Sequence, residues 1–178
     1  MKHGTGCMEV SSVDDINRYL DLIRDAAAKI QRGIMSQDGN PLDLLRRMKF
    51  ETGGFHPILG HPINIIEQIN QTWTFLVALR ATRHLLEMNP DADGFVLAPG
   101  AHAAIDLDIM SQAPGVVGAE TFAAVDPANN NKLKTDLIKL AARTERHRYI
   151  FFMSPRFPGF KRRPEFEDAA IQVWSVDV

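Results

Sequence analysis

The sequence predicts an α/β fold: a mixed β-sheet core with a helical extension at the N-terminus. Three observations carry this. The first ninety residues show apolar spacing of helical period, and from "DADG" at 91 onward the period shortens to that of strands. The third observation is a single helical segment lying between the later strands, the arrangement that lets a strand return in parallel. At 178 residues the chain is sized for one domain, read here as 1–178 with a helical extension over 1–60 and a core over 61–178.

In order, "SSVDDINRYLDLIRDAAAKIQRGI" opens with Ser11 or Ser12 as cap, acids in the first turn, and Ile16, Leu20, Ile23, Ala27 and Ile30 at helical spacing. "NPLDLLRRM" has the Asn cap and early proline of a second helix. After the loop "ETGGFHPILG", a long helix is expected from Pro62 to just before Pro90, with Ile66, Ile69, Trp73, Leu76, Val77 and Leu85 as its apolar stripe. "FVLA", "AAIDLDI" and "GVVGAETFAAV" read as a three-strand antiparallel meander. "DPANNNKLKTDLIKLAART" reads as a crossover helix with Leu133, Leu137, Ile138 and Leu140 on one side. "RYIFFM" and "IQVWSV" are strands on either side of the basic, proline-rich "SPRFPGFKRRPEFED".

Composition narrows the function classes. The chain is 45% hydrophobic and 24% charged, as in soluble globular proteins. Cys7 is the single cysteine, which excludes an internal disulfide and zinc sites built on cysteine pairs. With no run of eighteen apolar residues and no apolar leader in "MKHGTGCMEV", the expectation is a cytoplasmic protein without a membrane partner. Net charge is −2, yet residues 126–163 hold ten Lys/Arg against three acids, a polyanion-binding footprint or a solvated basic surface.

Carboxylates inside strand-like runs are costly to desolvate unless they pair, accept hydrogen bonds or hold a cation. Asp106 and Asp108, two apart, are expected on one side of their strand, and Glu120 follows on the next. All-oxygen donors of this kind suit Mg2+ or Mn2+ better than zinc. The pair His56 and His61, five apart across a Pro and Gly loop, matches no metal motif.

The run "LDI", a glycine turn, "GAETF", "NNNKLKTDLIKL" and "RYIFF" resembles the core of the PD-(D/E)XK nuclease superfamily, the restriction-endonuclease-like fold, over residues 61–153. The resemblance implies an αβββαβ core, metal ligands at Asp108 (or Asp106) and Glu120, and a helical acid at Glu67. It implies Mg2+-dependent hydrolysis of DNA, with two subunits pairing as a homodimer to cut two strands. The Glu-x-Lys of that family needs lysine at 122, where this chain has Phe122. As in members that draw the lysine from the following helix, Lys132 or Lys134 is placed to orient the attacking water. Without either lysine the alternative is a catalytically inactive nuclease-fold module for nucleic-acid binding or protein assembly. Asn130, Arg156, Lys161, Arg162 and Arg163 are the candidate phosphate contacts, the last four interleaved with Phe157 and Phe160.

Overall fold

The computed structural model describes residues 7–36, 39–100, 105–128, 131–168 and 170–177. It is mixed α/β, with four α-helices and a seven-stranded mixed sheet. The chain forms two compact units, Asn17–Trp73 and Met1–Ile16 with Thr74–Val178.

The larger unit holds the sheet. Strands β1 (Met8–Val10), β4 (Phe95–Leu97), β5 (Ile109–Ser111) and β6 (Val117–Ala123) pair antiparallel in that order. Helix α4 (Lys132–Ala141) then crosses over, so that β7 (His147–Met153) joins β6 in parallel, as the sequence leads one to expect. β9 (Ile171–Ser175) lies parallel to β7, and the short β8 (Lys161–Arg162) closes the edge antiparallel to β9. Alternation along the strands sorts the core. Phe122, Ile150, Phe152, Ile171 and Val173 pack with Leu107 and with Leu133 and Leu140 of α4. Tyr149 and Phe151 fall on the alternate positions, and the Tyr149 hydroxyl donates to Asn89 at 3.3 Å. Within α4 the buried row is Leu133, Asp136 and Leu140; Ile138, expected on that side, is 64% exposed.

Helix α1 (Val13–Met35) starts with a reciprocal cap: Ser12 Oγ accepts from the Asp15 amide, and the Asp15 carboxylate accepts from the Ser12 amide. Its buried row is Ile16, Leu20, Ile23, Ala26 and Ile30, with Ala26 in place of the expected Ala27. The smaller unit adds α2 (Pro41–Phe50), capped by Asn40 Oδ1 on the Leu42 amide. It also holds a hairpin that the sequence reading missed, β2 (Thr52–Phe55) with β3 (Pro62–Asn64). The segment beginning at Pro62 is therefore a strand first, and α3 (Ile65–Met88) starts three residues later, its Glu67 amide bonded to Asn64 Oδ1 at 2.8 Å. Trp73 and Ile69, expected in the apolar stripe, are partly exposed, Trp73 by 42%. Val77 and Leu85 of that stripe are fully buried, joined by Ile65, Gln68, Phe75 and Leu79. Among the described residues no helix is long and apolar enough to cross a membrane.

Candidate functional site

Strand register brings the two carboxylates together. Ile109 pairs with Ala119 and Met110 with Gly118, so one further step along β5 and β6 sets Asp108 against Glu120. Asp108 Oδ2 accepts from the Thr121 amide at 2.8 Å and from the Thr121 hydroxyl at 3.0 Å. Those bonds fix one oxygen of Asp108 beside Glu120. Burial, then the neighbouring Asp108 charge, pushes the Glu120 carboxyl above its ordinary range.

Helix α4 supplies the opposite charge. Positions 132, 136 and 139 fall on one helical face. Lys139 Nζ donates to Glu120 Oε1 at 2.5 Å. Lys132 Nζ donates to Asp136 Oδ1 at 2.6 Å and lies 3.6 Å from Glu120 Oε2. Burial pulls Lys132 down, but its bond to Asp136 and the surrounding acids outweigh this and hold the ammonium above its usual range. Asp136 is itself raised, by burial first, and its Oδ2 is buried without a hydrogen-bond partner among the described residues. The lysine side chains are 39% and 45% exposed while that of Glu120 is 2% exposed, so both ammonium groups bridge from solvent to a buried acid.

Glu120, Lys132 and Lys139 line a cleft of about 410 Å³, with Thr74, Asp106, Asp108 and Thr121 as its other polar residues and Phe122 and Leu107 among its apolar ones. Of the expected site residues, Asp108, Glu120 and Lys132 are thus brought together. Asp106 also faces the cleft but does not share a strand with Asp108: residues 105–108 bend ahead of β5, and Asp106 pairs with Arg143 Nη1 at 2.9 Å. Lys134 is exposed on α4 and does not appear in the lining. Glu67 sits in the first turn of α3 in the smaller unit, where it and His61 act on the partly buried His56. Lys139 and Asp136 were missed from sequence; their spacing puts them on the face of Lys132, but spacing alone does not show that this face meets Glu120.

The basic loop is engaged within the chain. Arg156 pairs with Asp126, Arg162 forks onto Glu167 at 2.7 and 2.8 Å, and Arg163 donates to Ser175 Oγ and to the Pro158 carbonyl. Phe160 stacks between His84 and Trp174. Lys161 is exposed, and Asn130 lies outside the described residues.

Among the described residues no three His, Cys, Asp or Glu side chains converge as a metal-binding group. Two juxtaposed carboxylates still match how Mg2+ is commonly held, by one or two acids with waters and substrate phosphate completing the shell. The donor set is all oxygen, which suits Mg2+ or Mn2+. Compared with family models, curated proteins and solved structures, the chain finds no match.

Proposed function

We propose that the cleft binds DNA and hydrolyses a phosphodiester with Mg2+ or Mn2+, on a core of restriction-endonuclease-like type. The observation that supports this reading is the meeting of Asp108 and Glu120 with two α4 ammonium groups in one cleft. The helix lysines offer what Phe122 cannot.

Asp108 and Glu120 would hold the ion, which when bound polarises the scissile phosphate and offsets charge as it develops. Thr121 keeps Asp108 in place with two donors on Oδ2. Asp136 anchors Lys132, whereas Lys139 donates to Glu120. Lys139, whose side chain is 45% exposed, would donate to a phosphoryl oxygen or orient the attacking water.

Metal-dependent cleavage of plasmid DNA by wild type, Asp108→Ala and Glu120→Ala tests the site. Both substitutions are expected to abolish nicking, and activity surviving in both rejects it. A second reading, a module that binds without cutting, draws on Glu120 carrying an ammonium group near each oxygen, which already balances its charge. Calorimetry with Mn2+ separates the two, since that module takes up no ion through Asp108.

A further inference from the structure

We propose that Arg143 is a positioning residue that brackets the Asp108 segment to the end of α4 and thereby sets the metal affinity of the cleft; this rests on the metal-site reading above. Its backbone is fixed on both sides. The Arg143 amide donates to the Leu140 carbonyl at 3.1 Å, and the Arg143 carbonyl accepts from Arg148 Nη1 at 3.3 Å.

From that fixed base the guanidinium forks two ways. Nη2 donates to the Glu145 carboxylate at 2.6 Å, with Nε at 3.2 Å from both of its oxygens, and Nη1 donates to Asp106 at 2.9 Å. Glu145 is buried, so this side of the fork is anchored, while Asp106 is 76% exposed at its side chain. A planar guanidinium with five donors suits such a two-sided bracket, where a lysine would reach one partner only.

Between these partners the chain is closely packed. A Cβ on Gly118 would stand 2.6 Å from Leu107 Cδ1 and 3.2 Å from Glu145 Cγ, so the bare backbone of β6 lets Leu107 and Glu145 close over it. Leu107 is fully buried and packs in the cluster that includes Leu133 and Leu140 of α4. Asp106 and Leu107 are thus both tied toward α4, and Asp108 follows them directly. The helix carrying Lys132 and Lys139 and the bend carrying Asp108 are held as one piece. Outer partners of ligating carboxylates commonly change metal affinity by about 10–100-fold.

Asp106→Ala tests this, because it removes the acceptor at the exposed arm of the bracket and leaves Arg143 on Glu145. Two readouts are taken: Mn2+ affinity by calorimetry, and exchange of the Thr121 amide, which bonds to Asp108, by NMR in metal-free protein. The expected result is Thr121 exchange at least about 10-fold faster and Mn2+ binding about 10-fold weaker, with little change in Tm. Unchanged Thr121 exchange overturns the bracket; if Mn2+ binding alone weakens, Asp106 is itself a ligand. Faster exchange in a protein whose wild type binds no Mn2+ keeps the bracket and removes the metal reading.

Discussion

Lys139 Nζ sits 2.5 Å from Glu120 Oε1, so a side chain from the crossover helix reaches the buried acid of β6. If that ammonium serves the reaction, Lys139→Ala lowers the rate of metal-dependent DNA cleavage by about 100-fold or more, the usual cost of losing one aimed donor. Lys134→Ala, on an exposed part of the same helix, leaves the rate unchanged. Single-turnover cleavage of a labelled duplex compares the two.

Placing a lysine at position 122 of β6 is expected to harm rather than help. Phe122 is 6% exposed, stacks on Phe152 with ring centroids 5.8 Å apart and packs in the core beneath α4. Phe122→Lys places an ammonium in that apolar cluster, and an uncompensated buried charge costs about 3–5 kcal/mol. Urea denaturation of the variant should show a loss of that size, and no gain in cleavage.

Gly118 admits no side chain without movement. Gly118→Ala forces its Cβ against Leu107 Cδ1, and overpacking of this sort costs about 1–3 kcal/mol. Thermal unfolding is expected at a lower Tm, whereas Gly33→Ala, where nothing lies within 4 Å, does not lower it.

Glu145 gives a pH signature. The Arg143 guanidinium holds its carboxyl below the usual range, so the folded state binds that proton less tightly than the unfolded chain. The stability it contributes is complete above the ordinary carboxylate pKa and is lost as pH falls through the lowered folded value. Glu145→Gln is therefore expected to differ most from wild type near neutral pH, with the two curves converging as pH falls into the acid range. Denaturant midpoints measured across that range check the sign.

Much of this site was legible because strands have a period of two and the turn before β6 is short, which fixed the pairing of Asp108 with Glu120. Asp106 was not, since alternation assumes an extended strand and residues 105–108 bend instead. Lys139 and Asp136 were hidden for a different reason: solvated helix lysines are common, and only the packing of α4 on β6 distinguishes this one. The β2–β3 hairpin escaped because its strands are three and four residues long and contain Gly53, Gly54 and Pro62, all poor strand formers. The arginines of the 156–163 loop were read as phosphate contacts, and the structure adds partners within the chain that spacing did not single out, Asp126 for Arg156 and Glu167 for Arg162.

Because Glu120 already has built-in counter-ions in the two α4 side chains, the protein is expected to keep its shape without a bound ion. It should therefore survive purification in chelating buffer with its melting curve intact, unlike small domains that collapse when stripped of zinc. On the proposed metal-site reading, ion loading would then be a late and reversible event, decoupled from folding and governed by what arrives in the cleft.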